Sequence, residues 1–200
     1  MSRRFMEFLL FILTPLAESC SGKNEHRSDA DPDLWPAEKP ACEHRSGCSA
    51  TKEHCEGGWT YFKKTGACYK NFFWENFDNA EKVCKKNEGH LVSIHSREEN
   101  DLIASLAKTG IQWSEWTQLT WIGLRKSPGS DDWSWTDDTD VDYLAWAPNE
   151  PSNTEGKEHC VELFSDDYHI PNPMTPFGSW NDLDCSEKMR SFVCKKKALH

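Results

Sequence analysis

The chain has 200 residues and a formal net charge of −10, room for one domain of ordinary size with extensions. That charge argues against binding a phosphate backbone, whose affinity comes from Lys and Arg. It suits a protein that holds a hard cation with carboxylates, although most of the acidic side chains are ordinary solvated surface charge.

Residues 1–19 read as a secretory signal peptide. Arg3 and Arg4 form its basic start, Phe8 to Leu16 its apolar stretch, and Ala17-Glu18-Ser19 offers small residues for cleavage. The apolar stretch is shorter than the roughly 20 residues that span a bilayer. No later segment is apolar enough to span, so the expected product is secreted and extracellular. In that compartment the nine cysteines are expected as disulfides rather than as metal or redox groups. Residues 20–54 form a polar, proline-containing extension with Cys20, Cys42 and Cys48 and no heptad pattern. A zinc site from Cys42, His44, Cys48 and His54 fits no common spacing.

The domain begins at Cys55. Trp59, Tyr61 and Phe62 alternate as a strand does, Lys63 to Gly66 turn the chain, and Cys68-Tyr69-Lys70 returns. A helix is expected near 77–87, with Ala80, Val83 and Cys84 on one face and Gly89 as its stop. His90 to Ile94 reads as a short strand. Ser96 with Glu99 forms a capping box for a second helix, with Leu102, Ile103 and Leu106 at helical spacing and Gly110 ending it. Trp121-Ile122-Gly123-Leu124 and Trp133 to Thr136 read as strands, and Asp137-Asp138 as a turn. From Trp146 to Trp180 the chain reads as loop, and Ser191 to Cys194 as the closing strand. The Trp-rich stretches 113–121 and 133–146 are expected in the core.

Taken in order, these features resemble the long form of the C-type lectin-like domain. The resemblance runs from Cys55 to Lys195 through Trp59-x-Tyr61, the helix bearing Cys84, Trp121-Ile122-Gly123-Leu124, Trp133-x-Trp135, Glu150-Pro151, the Cys160/Cys185 spacing, Trp180-Asn181-Asp182 and Cys194. It implies a domain over 55–197 of mixed α+β class. Two helices flank small antiparallel sheets, and a long irregular loop carries the ligand site. It also implies the disulfides Cys55–Cys68, Cys84–Cys194 and Cys160–Cys185. Cys42 and Cys48 are left to pair with each other or to bridge to another chain, and Cys20 is the odd one. The cysteines in 20–48 are the candidates for a disulfide-linked dimer.

In sugar-binding members of that family, the same residues hold calcium and the sugar. Carried onto this chain they are Glu150, Ser152, Glu158, Asn181 and Asp182, with Pro151 expected in the cis form. Calcium takes six to eight oxygens, and Glu150, Glu158 and Asp182 bring three negative charges to it. Ser152 departs from the family's usual Asn or Asp there; its shorter hydroxyl bears on both ion affinity and sugar choice. Glu150 and the aromatic-free stretch 152–159 lean towards mannose-, glucose- or fucose-type ligands, with galactose open through Ser152. Asn153, His159, Lys126 and Ser130 stand where a second calcium would need acidic ligands, so one calcium is expected. Residues 165–179 are long for the family and contain Pro171, Pro173 and Pro176; Tyr168, His169 and Phe177 either reach a bound sugar or belong to a surface insertion.

The expected function is calcium-dependent binding of glycans or glycoproteins, without nucleic acid and without a membrane span. The alternative is a domain of the same kind that binds a protein partner without sugar. An enzyme is not expected: no hydrolase, zinc-protease or phosphate-loop motif occurs. Glu150 and Glu158 as a glycosidase pair explain less than they do as calcium ligands beside Asn181-Asp182.

Overall fold

A computed structural model of the chain describes residues 54–127 and 129–199. The expected signal peptide, the extension except His54, and Cys20, Cys42 and Cys48 lie outside them. Strand β1 (Thr60–Phe62) and strand β2 (Ala67–Glu75) form the first hairpin. Its turn closes on Gly66 at φ 64°, where the amide donates to Phe62 O. Cys55–Cys68 ties the hairpin's start to β2.

Helix α1 (Phe77–Lys86) starts at Asn76, whose side chain accepts the Asn79 amide. It buries Phe77, Ala80 and Cys84. Its end corrects the expectation for Gly89. The left-handed residue is Glu88, at φ 63°; Gly89 N–H donates to Cys84 O and Glu88 N–H to Lys85 O, a Schellman pattern. Gly89 serves packing instead: a Cβ there would sit 2.3 Å from the Lys195 carbonyl oxygen. Strand β3 (His90–Leu91) is shorter than the expected 90–94. Beyond it Val92 bridges two strands: its N–H donates to Val193 O and its carbonyl accepts from Gly123 N–H.

Helix α2 (Arg97–Ala107) is capped by Ser96, whose hydroxyl accepts the Glu99 amide at 3.2 Å. The reciprocal half of the expected box is absent. The Glu99 carboxylate is fully buried, accepts the His95 amide at 2.9 Å and the Tyr69 hydroxyl at 2.6 Å, and pairs with Lys195 Nζ at 2.8 Å. A buried carboxylate needs partners on every oxygen, and these lie on the hairpin and the last strand. Burial and then the bond to Glu99 push the Tyr69 phenol far above its ordinary range, which keeps it a donor.

The remaining strands are β4 (Thr120–Lys126), β5 (Trp133–Trp135), β6 (Cys160–Leu163), β7 (Trp180–Leu183) and β8 (Met189–Lys197). The sheet runs β1-β2-β8-β4-β6-β7, with β3 paired to β8 and β5 to β4. Among the described residues, all pairings of these strands are antiparallel except β4 with β8. Strand β6 corrects the loop expected from Trp146 to Trp180. All four of its residues are buried, so the run lacks the in–out alternation by which a strand is read. Strand β8 is likewise longer than expected, because all of β2 supplies it with partners from Ala67↔Lys197 to Glu75↔Met189. Trp121, Trp135 and Trp180 are among the largest fully buried side chains. Trp116, expected inside, is 45% exposed.

Two expectations for stability follow from this packing. Glu99→Ala strands Lys195 and Tyr69 and is expected to cost about 3–5 kcal/mol in urea unfolding. Asp137 is pulled in both directions. Burial alone would raise its pKa, but hydrogen bonds from Ser93 and Thr139 outweigh it, and the carboxyl sits below its ordinary value. A lowered folded pKa stabilises above the unfolded value, near pH 4, and that stability is lost as pH falls through the folded one. Asp137→Asn should therefore melt about 2–4 °C below wild type at pH 7, and the gap should close as the pH falls through the folded pKa.

Candidate functional site

The sheet holds an irregular loop, residues 147–159, at both ends. Ala147 N–H donates to Trp180 O and Trp180 N–H to Ala145 O, fixing the loop's start to β7. His159 N–H donates to Leu183 O and its carbonyl accepts from Lys126 N–H, fixing its end. Cys160–Cys185 closes the base. Between these points the Glu150–Pro151 bond is cis, and Asn149, Asn153, Glu155 and Gly156 have positive φ. Such backbone turns sharply with few internal bonds, and side chains must supply them.

Those side chains are the expected site residues. Ser152 N–H donates to Glu150 Oε2 and to Asp182 Oδ1, both at 2.8 Å. Ser152 Oγ donates to Glu158 Oε2 at 3.1 Å, and Thr154 N–H to the same oxygen at 2.7 Å. Asn153 N–H donates to Asp182 Oδ2 at 2.9 Å. Three carboxylates, two from this loop and one from β7, thus converge on Ser152. Its hydroxyl does not fall short of the constellation: it reaches Glu158 directly.

Asn181 reaches the other way, donating through Nδ2 to Glu162 Oε1 at 2.9 Å. Glu162 is the residue that sequence reasoning missed. It lies on β6 opposite Asn181 and is fully buried. Burial pushes its carboxyl well above the usual range against the Asn181 bond, and the charges of Glu158, Glu150 and Asp182 push the same way. The only available signal was a Glu two residues after Cys160, which looks like any surface carboxylate. Burial also raises Glu150, against its bonds to Ser152, and the neighbouring Asp182 charge adds to the rise.

As placed, no three His, Cys, Asp or Glu side chains among the described residues stand together as a metal-holding group. The donor set nevertheless fits a hard cation. Three carboxylates crowd one loop, and like charges at that spacing favour a counter-ion. Glu162 Oε2, Asn153 Oδ1 and His159 Nδ1 are buried around it without hydrogen-bond partners among the described residues. Of the positions expected to lack a second ion, Lys126 places its Nζ 4.7 Å over the Trp133 ring, and Ser130 Oγ accepts the Asp132 amide.

The 165–179 segment is pinned apart from this loop. Asp166, buried, accepts Thr109 and Gly110 amides and pairs with Arg190 at 2.7 Å. Tyr168 packs on Trp113 with ring centroids 4.5 Å apart, His169 N–H donates to Trp113 O, and Lys108 lies over Phe177. One arrangement superficially suits catalysis. His95 Nδ1 meets Asp142 at 2.7 Å and Nε2 meets Thr139 Oγ1 at 3.2 Å. The Thr139 hydroxyl, however, donates to Asp137 at 2.6 Å, so its proton is committed to a carboxylate and the imidazole activates no nucleophile.

Comparison with known proteins agrees with this architecture. The family model for the lectin C-type domain matches residues 74–196. A snaclec of Daboia palaestinae is 34% identical over 149 residues, 73% of this chain and 99% of its own. The C-type lectin mannose-binding isoform of Notechis scutatus scutatus is 34% identical over 146 residues, 72% of this chain and 84% of its own. The cow C-type carbohydrate-recognition domain of CD23, solved in the presence of GlcNAc2Man3 oligosaccharide, superposes with a TM-score of 0.60 at 29% identity, over 74% of this chain and 100% of its own. A calcium-independent type II antifreeze protein superposes with a TM-score of 0.58 at 29% identity, over 75% of this chain and 99% of its own.

Proposed function

Because this chain belongs to the C-type lectin domain family, we propose that it is a secreted, calcium-dependent carbohydrate-binding protein. The observation that carries the reading is the convergence of Glu150, Glu158 and Asp182 on Ser152 beside the cis Pro151. Glu150, Glu158, Asn181 and Asp182 would hold one calcium ion, with Ser152 tying its carboxylates together. When bound, the ion offers coordination positions to two adjacent hydroxyls of a sugar. The same carboxylates would accept hydrogen bonds from those hydroxyls, and Glu162 fixes the Asn181 amide behind them. Glu150 and the aromatic-free stretch 152–159 favour mannose-, glucose- or fucose-type ligands. A relative named as mannose-binding lends support, and Ser152 leaves galactose open.

Three disulfides among the described residues support an extracellular product. No helix among those residues is long and apolar enough to cross a membrane. A lectin of this kind binds single sugars weakly and gains from multivalency, for which Cys20, Cys42 and Cys48 offer a disulfide-linked dimer.

A second reading is a family member that binds a protein partner without sugar. It is favoured by the departure at Ser152 from the family's usual Asn or Asp, and by the calcium-independent structural neighbour.

Thermal melting separates the two. Calcium at a hundredfold excess over its Kd should stabilise the fold by about 2.7 kcal/mol, a rise of about 5–10 °C over EDTA, and Glu158→Ala should abolish the rise. No rise at millimolar calcium would leave the protein-binding reading. Ser152→Asn adds an amide oxygen to the constellation and is expected to tighten calcium about tenfold, read by competition with a fluorescent chelator.

A further inference from the structure

We propose that a second saccharide subsite lies beside the loop of Glu158 and takes the inner, neutral residues of a glycan chain; this rests on the sugar-binding reading above. A cleft of about 340 Å³ is lined by Glu158, Thr154 and Trp116. Trp116 also lines a smaller hollow of about 120 Å³, together with Ser114, Tyr168, Asn172 and Thr175. A glycan with its terminal residue at Glu150, Glu158 and Asp182 would enter the cleft at Glu158 and meet Trp116, which borders both spaces.

The chemistry of the lining selects the occupant. Aromatic rings offer apolar faces to the C–H side of a sugar, and the hydroxyls and amide around them match its hydroxyls. Trp113 lines the hollow as well, and its buried indole N–H has no hydrogen-bond partner among the described residues. The cleft's carboxylates include Glu115, Glu155, Asp184 and Glu187, and its Lys157 is paired with Glu155 at 2.6 Å. Like-charge repulsion then disfavours sialylated or sulfated chains.

Trp116 is half-exposed yet held in place. It opens a 3-10 turn (Trp116–Gln118) whose ends are capped by Glu115 and Gln118 reciprocally, with Gln118 Oε1 accepting the Ser114 amide at 2.8 Å. Trp113 packs against it with centroids 5.0 Å apart. A fixed, partly exposed ring loses little freedom on binding, which is what an anchoring platform requires.

The test is calorimetric titration of the full secreted chain in calcium with mannose and linear mannotriose, and with galactose and globotriose. The preferred trisaccharide should bind about tenfold tighter than its terminal sugar. Trp116→Ala should bring that ratio to about one while leaving the monosaccharide Kd and the calcium-linked Tm rise unchanged, and Trp116→Phe should keep most of the ratio. Thr175→Arg, which obstructs the hollow without altering the Trp packing, should lower the ratio in the same way and serves if Trp116→Ala does not fold. A ratio unchanged in a folded Trp116→Ala and in Thr175→Arg overturns the subsite alone. No binding of any of the four saccharides in calcium overturns both it and the sugar reading. Trp116-dependent trisaccharide binding that persists in EDTA supports the subsite and removes only the role of calcium.

Discussion

Cys84–Cys194 joins the first helix to the last strand across 110 residues, and closing a loop of that length removes about 5 kcal/mol of freedom from the unfolded chain. The strand it anchors is central to the sheet. Strand β8 pairs with β2, β3 and β4, and Lys195 beside the disulfide reaches under α2 to Glu99. Chain segments far apart in sequence must meet before β4 and β6 have an edge to join. The irregular loop depends on the same closure at one remove, since β6 and β7 hang from β4 and supply its regular anchor.

That loop shows how electrostatics and backbone geometry serve one another. Positive-φ residues and a cis bond leave its amides pointing inward, where hydrogen-bonded helix or sheet cannot satisfy them. Carboxylates satisfy them instead. Asp182 takes two neighbouring amides and Glu158 an amide and a hydroxyl. The cost is a concentration of carboxylates beside a buried Glu162: burial raises the Glu150 and Glu162 carboxyls most, and their charged neighbours add to the rise. On the proposed reading, a divalent cation would lower that cost.

The aromatic residues divide in a parallel way. Trp121, Trp135 and Trp180 fill the two sides of the sheet, and burial of such rings is the largest apolar contribution available to a domain of this size. Trp116 differs only by its place, on a capped turn at the margin of the core. The same residue type serves stability at one position and recognition at another.

Sequence alone determined what depends on spacing and residue type. Both helices, the hairpin and the strand Trp121 to Leu124 followed from periodicity and caps, because those signals are local, while the α+β class came with the family resemblance. The loop residues Glu150, Ser152, Glu158, Asn181 and Asp182 were legible as a set only through family resemblance, since each alone is an ordinary polar side chain. Tertiary structure decided the rest. Glu99 leaves its capping box because Lys195 and Tyr69 lie beneath it, and Gly89 is required by a carbonyl on β8 rather than by its own φ. Strand β6 is invisible to alternation because both its faces are covered. Ser152 becomes the meeting point of three carboxylates, and Glu162 the buried carboxyl behind them. Most of these are contacts between residues distant in sequence, and no local pattern encodes which partner a side chain will meet.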